Sequence, residues 1–173
     1  MAVVPNPRDF KALIAVTVKR KSPLFLAVPA IFNSLNHYPG IKDHDMSSIK
    51  ACFSGSAPLP LDTMKRFEKP TGSVIGEGFG MRETSPGTHV SPLGGACKPG
   101  SVGLPLSNTD ARIVDIDDPT IELPIGEEGE LVVQGPQVMR GYWGRDDETA
   151  LTIINGWLHT GDLATMDEDG YFF

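Results

Sequence analysis

Two stretches of this chain carry residue types that together could hold a nucleotide. They are Gly76-Glu-Gly-Phe-Gly-Met-Arg-Glu-Thr-Ser-Pro86 and, far downstream, Gly156-Trp-Leu-His-Thr-Gly-Asp162. Glycines let a backbone approach a ligand closely and take turns closed to residues with a Cβ. Phe79 offers a flat face for a purine, Glu83 a hard oxygen ligand for Mg2+, and Asp162 two acceptors for a ribose diol. Those are three parts of one ATP or adenylate molecule. The glycine pattern is neither Gly-x-x-x-x-Gly-Lys-Ser/Thr nor Gly-x-Gly-x-x-Gly, so P-loop ATPases, dinucleotide folds and kinases gain no support. Ser56 is not a hydrolase nucleophile in Gly-x-Ser-x-Gly, because it follows Gly55 directly and precedes Ala57-Pro58.

Further runs accompany these two in order: Ser54-Gly-Ser-Ala-Pro-Leu-Pro60, Lys98-Pro-Gly-Ser-Val-Gly-Leu-Pro105, Gly129-Glu-Leu-Val-Val-Gln-Gly-Pro136 and Gly141-Tyr-Trp143. With them the chain resembles the acyl-adenylate-forming ligases, and within these the long-chain fatty acid–CoA ligases, over nearly its whole length. The family's central signature reads roughly G-Y-G-(L/M)-T-E-T-S-P, and residues 78–86 read G-F-G-M-R-E-T-S-P. The resemblance implies that Gly55, Ser56, Ala57 and Pro58 line the adenine and the acyl tunnel. It implies that Glu77, Gly78, Phe79, Gly80 and Met81 run along the adenine, with Phe79 stacking where the family usually has tyrosine. Glu83 looks like the Mg2+-binding glutamate and Asp162 like the ribose-binding aspartate. Arg82 departs from the pattern: the family places a threonine there, whose hydroxyl contacts the α-phosphate. A guanidinium bonds phosphate more strongly but is far larger. Either the phosphate is handled differently here, with Arg82 and Glu83 as the catalytic pair, or the chain is a weakly active relative.

As the resemblance implies it, the reaction joins a fatty carboxylate to ATP, giving an acyl-adenylate, and then passes the acyl group to CoA. The family opens catalysis with a Ser/Thr/Gly-rich phosphate loop ending in Gly-Lys, and no such loop occurs in this sequence. A mobile carboxy-terminal domain follows soon after a segment like Asp169-Gly-Tyr-Phe-Phe173 in the family. The chain is therefore expected to be a fragment of the large amino-terminal domain, inactive alone, whose partners include the missing carboxy-terminal domain of its parent. Two alternatives stand beside this reading: an adenylating ligase for another acid (aryl, amino or luciferin-like), and a non-catalytic nucleotide-binding module.

The elements that must position these residues follow from pattern. Apolar spacing at Phe10, Leu13, Ile14 and Val18 predicts a helix ending near Lys21, broken by Ser22-Pro23. Leu24 to Val28 and Ile49 to Phe53 read as short buried strands, and Ser73 to Ile75 as a third entering a glycine-rich turn. Pro29 suits the first turn of a helix carrying Ile31, Phe32 and Leu35, and residues 60–69 fit another. This alternation predicts an α/β sheet subdomain over residues 1–100, with ligand loops leaving the carboxyl ends of its strands. Residues 101–173 read as a small, distorted β-barrel-like lobe with strands at 111–115, 130–134 and 158–166, and a helix only at 146–153. The acidic segment 115–128 reads as an exposed loop.

Composition sets further bounds. The 173 residues carry a net charge of −7, with +5 up to Gly72 and −12 beyond. The acidic half argues against a nucleic-acid partner. Lys19-Arg20-Lys21 reads as a solvated helix end, with a membrane surface or a CoA phosphate as the alternative. Two cysteines do not make a disulfide framework, and Cys52 reads as reduced and buried. His37, His44, His89 and His159 show no ligand spacing, and Trp143 and Trp157 read as packing residues. No apolar run approaches the roughly 18 residues of a membrane span, and a cytoplasmic protein, with peripheral membrane contact left open, is the simplest fit.

Overall fold

A computed structural model describes residues 4–92 and 94–173. The chain divides into two compact units, Met1–Glu77 and Gly78–Phe173. Residue 100, where the sequence pattern divides the chain, falls inside the second.

In the first unit, helix α1 (Phe10–Arg20) starts where the Asp9 carboxylate accepts from the Ala12 amide at 2.9 Å. It stops at Lys21, which takes the left-handed conformation and returns its amide to Thr17 and Val18. Strand β1 (Leu24–Ala27), helix α2 (Pro29–Asn36), strand β2 (Ala51–Ser54), helix α3 (Leu61–Thr71) and strand β3 (Val74–Gly80) follow as a β-α-β-α-β series. The three strands pair in parallel, with Phe25, Cys52 and Ile75 in register. Those three side chains point to the core, where Phe25 meets Phe32 and Phe67, the last two ring to edge at 5.1 Å. The alternating residues point away, so β1 is buried on one face only. Leu24, Val74 and above all Leu26, 74% exposed, form an apolar row on the other face. A short apolar run looks the same whether one face or both are covered, which is why Leu24 to Val28 reads as fully buried.

Helix α3 outlasts its expected end. Pro70 stands in its last turn, where a missing amide costs one bond, and the Thr71 hydroxyl donates to the Phe67 carbonyl at 2.8 Å.

In the second unit, Gly78–Gly80 of β3 pair antiparallel with β4 (Gly87–Val90), which pairs with β5 (Leu104–Pro105). The glycine-rich run expected to be a turn is thus mostly strand, and the turn comes later, at residues 81–86. The glycines serve close packing: a Cβ on Gly80 would lie 1.8 Å from the Pro86 carbonyl oxygen. Strands β6 (Asp110–Val114), β7 (Gly129–Gln134), β8 (Ile153–Ile154) and β9 (Trp157–Ala164) make a second sheet in the order β6-β7-β9-β8, with helix α4 (Asp146–Thr152) leading into β8. Its core gathers Ile113, Leu131, Val133, Leu158, Ala164 and Phe172. The acidic segment is exposed, turning at Asp115, whose carboxylate accepts from the amides of Asp117 and Asp118.

Candidate functional site

In the first unit the candidate residues lie where β2 ends. Ser56 takes a left-handed φ of 73°, and Ser56, Ala57 and Pro58 are exposed. Leu59 then turns inward, and its amide donates to Glu77 Oε2 at 2.9 Å. Glu77 is 7% exposed. Its carboxylate anchors the 55–58 loop on β3.

The second unit carries the turn that follows β3. The Thr84 hydroxyl, fully buried, donates within the turn to the carbonyls of Met81 and Pro86 and accepts from the Met81 amide at 2.9 Å. This holds a single 3-10 turn, Arg82–Thr84, with Arg82 exposed and Glu83 half-buried beside it. Arg82 makes no hydrogen bond or ion pair among the described residues, so its donors are available. Glu83 is fixed from the Gly141-Tyr-Trp run. Its carbonyl accepts from the Met139 amide at 2.7 Å, and its Oε1 accepts from the Tyr142 hydroxyl at 2.9 Å. That bond holds the Tyr142 phenol above its ordinary pKa of 10. The other oxygen, Oε2, has no hydrogen bond among the described residues. Half a carboxylate is thus left open. Among the described residues no group of three or more His, Cys, Asp or Glu could hold a metal. One carboxylate oxygen fits the way Mg2+ is usually held beside substrate phosphates, with water completing its shell.

Gly78, Phe79 and Met81 are half-buried, and Gly80 is exposed. Phe79 and Met81 pack against the second unit's core. His89, its register partner on β4, lies 6.1 Å from the Phe79 ring and 4.6 Å from that of Phe172. Burial pushes His89 down to about 4, so the ring is neutral; Thr88 Oγ1 lies 2.9 Å from its Nδ1.

Asp162 sits exposed in a bulge of β9. The Asp162 amide donates to Thr160 Oγ1 at 3.1 Å, and that hydroxyl donates to the Leu131 carbonyl at 2.7 Å. Glu130 accepts from the Gly161 amide at 2.9 Å and meets His159 Nδ1 at 2.8 Å. As sequence Glu130 goes unnoticed and His159 reads only as lacking ligand spacing, although both lie in runs that carry the resemblance. Their one legible signal is a carboxylate and an imidazole opposite each other on two adjacent strands. The Lys98 run is joined to the end of the chain in the same manner: Lys98 Nζ bonds Asp167 at 2.5 Å and Asp169 at 2.7 Å, over the Tyr171 ring.

Each motif is therefore tied to another distant in sequence: 54–60 to Glu77, 78–86 to 139–142, 129–136 to 157–162, and 98–105 to 167–172. One expectation fails outright. Trp143 does not pack; it is fully exposed, whereas Trp157 lies under the Arg112 guanidinium at 4.2 Å. Trp143 stands between Tyr142, which points to Glu83, and Gly144, a left-handed glycine, and so is turned outward.

Residues 1–143 match the family described as AMP-binding enzyme. The chain belongs to the AMP-binding enzyme family. Among curated members it is similar to a long-chain-fatty-acid–CoA ligase of Bacillus subtilis, 46% identical over 90% of this chain and 28% of the relative. It is also similar to a long-chain-fatty-acid–CoA ligase of Escherichia coli O6:H1, 41% identical over 98% of this chain and 30% of the relative. This AMP-binding enzyme chain thus spans about 30% of the length of the curated relatives it matches. Among solved structures it is similar to the anthranilate CoA ligase AuaEII in complex with anthranoyl-AMP. That match has a TM-score of 0.89 and 26% identity, over 99% of this chain and 33% of that one.

Proposed function

We propose that this chain is part of a long-chain fatty acid–CoA ligase, in which it binds the adenylate and holds the metal-bound phosphates. The observation that carries the reading is a pair of carboxylates with unbonded oxygens on otherwise satisfied turns. Glu83 keeps one oxygen open, and Asp162 projects from a bulge whose backbone amides are internally bonded. The 40–46% identity to the long-chain ligases supports the fatty acid as substrate.

In the proposed reaction a fatty carboxylate oxygen attacks the α-phosphorus of ATP. The new P–O bond replaces the one to pyrophosphate, which leaves. The CoA thiolate then attacks the acyl carbonyl, and AMP departs with the electrons of the broken acyl–phosphate bond. Mg2+, when bound, supplies charge neutralisation at the phosphates. Glu83 would hold it through Oε2 while Tyr142 fixes the carboxylate's orientation. Arg82 donates to phosphate oxygens, a charge-assisted contact stronger than the hydroxyl of the family's usual threonine. Asp162 accepts from the ribose hydroxyls. Phe79 presents a ring edge or face to the base, and residues 55–58 offer backbone groups unobstructed by bulk. The proposed parent works in the cytoplasm or against a membrane surface where fatty acid is met. Among the described residues no helix is long and apolar enough to cross a membrane.

The test is a calorimetric titration of this chain with a non-hydrolysable long-chain acyl-adenylate analogue, beside Asp162→Asn and Phe79→Ala. Saturable binding weakened by both changes supports the reading; binding indifferent to both sinks it. A second reading, an aryl acid in place of the fatty acid, is favoured by the likeness to the anthranilate ligase. Acid-dependent pyrophosphate release by the full-length parent, measured with palmitate and with anthranilate, separates the two.

A further inference from the structure

The strand carrying Asp162 should not, by its hydrogen bonding alone, hold that residue still. Strands β7 and β9 are in register at Val132–His159 and again at Glu130–Leu163. Between these pairs β7 has one residue, Leu131, and β9 has three: Thr160, Gly161 and Asp162. Two extra residues leave the ladder, and a bulge of that size frays unless its amides find other partners. Gly161, at φ 74°, makes the turn that a side chain would oppose.

Glu130 supplies what the ladder cannot. Its Oε1 accepts from the Gly161 amide at 2.9 Å and its Oε2 meets His159 Nδ1 at 2.8 Å. One carboxylate therefore grips the strand on both sides of Thr160. The side chains of Glu130 and His159 are 18% and 13% exposed, so the pair is shielded from competing water. With both oxygens engaged, Glu130 has little left to offer a ligand. Asp162, next in the chain after Gly161, is exposed with its carboxylate unbonded among the described residues.

We infer that Glu130 is a positioning residue for Asp162: through the Gly161 amide and the His159 ring it fixes the bulge that aims the Asp162 carboxylate at a nucleotide ribose. This rests on the reading of Asp162 as the ribose-binding group. Glu130 touches no ligand; it acts on affinity by removing the freedom of the loop that does.

The test compares binding of AMP and of 2′,3′-dideoxy-AMP to the whole chain, with and without Asp162→Asn, Glu130→Ala and Glu130→Gln. The unsubstituted chain is expected to prefer AMP, and Asp162→Asn to erase the preference. Glu130→Ala is expected to weaken AMP about tenfold, as loss of a hydrogen bond to a charged group would, and to leave dideoxy-AMP unchanged. Glu130→Gln, whose amide oxygen can still accept from Gly161, is expected to fall between, and it covers the case in which the alanine variant does not fold. Equal weakening of both nucleotides by the Glu130 variants would mean a general structural role and overturn the inference, as would no effect on either. If the unsubstituted chain shows no preference, or Asp162→Asn keeps it, the ribose reading fails and takes this one with it.

Discussion

The Tyr142 hydroxyl donates to Glu83 Oε1 at 2.9 Å, joining a 3-10 turn to a loop that lies 59 positions along the chain. A phenol bonded to a carboxylate keeps its proton longer, so Tyr142 is held above its ordinary pKa of 10 by that bond first and by burial second. The folded state favours the neutral phenol. The stability this contributes is present below pH 10 and lost as pH rises through the higher folded pKa. Absorbance titration near 295 nm is expected to show Tyr142 ionising late, returned towards 10 by Glu83→Gln. Tyr142→Phe is expected to cost about 1 kcal/mol in denaturant unfolding, the usual worth of such a bond at a part-buried site.

Glu77 makes a prediction about the first unit alone. Its buried carboxylate holds the Leu59 amide at 2.9 Å. Glu77→Ala leaves that amide without its acceptor and opens a cavity, at a cost of about 2–3 kcal/mol. Hydrogen exchange at Leu59 is expected to accelerate before exchange in the centre of α3 does. Equal acceleration in both would mean that Glu77 supports the whole unit rather than the 55–58 loop.

His89 predicts an acid limb to stability. Burial lowers it from its ordinary 6.5 to about 4. Between those values the unfolded chain binds a proton that the folded chain refuses, so stability falls as pH drops from 6.5 to 4 and is unaffected above. The loss amounts to about 3 kcal/mol. Its Nε2 is buried without a hydrogen-bond partner among the described residues, so an apolar replacement is tolerated. His89→Leu is expected to flatten unfolding free energy against pH over this window relative to the unsubstituted chain.

Gly80 and Gly87 face each other across the β3–β4 pair, with a register shift beside Gly80. The Cβ of Gly80→Ala would meet the backbone of Pro86 and Gly87, at 1.8 Å for the nearest atom, and backbone cannot swing aside. The substitution is expected to cost more than about 3 kcal/mol and to displace residues 81–86. Circular dichroism melting checks the first part. Loss of the high tyrosine pKa of Tyr142 checks the second, because Glu83 would move with the turn.

The elements were legible where local chemistry decides them. Apolar spacing from Phe10 to Val18, and a break at Ser22-Pro23, put the end of α1 within a residue of where it is observed. The acidic turn-formers of 115–128 announce an exposed loop. What depends on distant partners was not legible. Residues 76–80 look like a turn because glycine suits turns, yet glycine also suits strands pressed against a neighbouring backbone, and only the partner reveals which. Glu77 was read as a ligand contact because it stands in a ligand motif; its acceptor role towards Leu59 depends on a fold that brings residues 18 apart together. Glu130 and His159 look like ordinary strand residues until the bulge between them is seen.

Trp143 gives this chain an optical handle. Of the two tryptophans, Trp157 is covered by a guanidinium and Trp143 stands wholly in water, beside the tyrosine that holds Glu83. Emission from Trp143 should be red-shifted and readily quenched by iodide or acrylamide. Any ligand or protein surface that settles over this loop would turn its spectrum blue, reporting occupancy without a label.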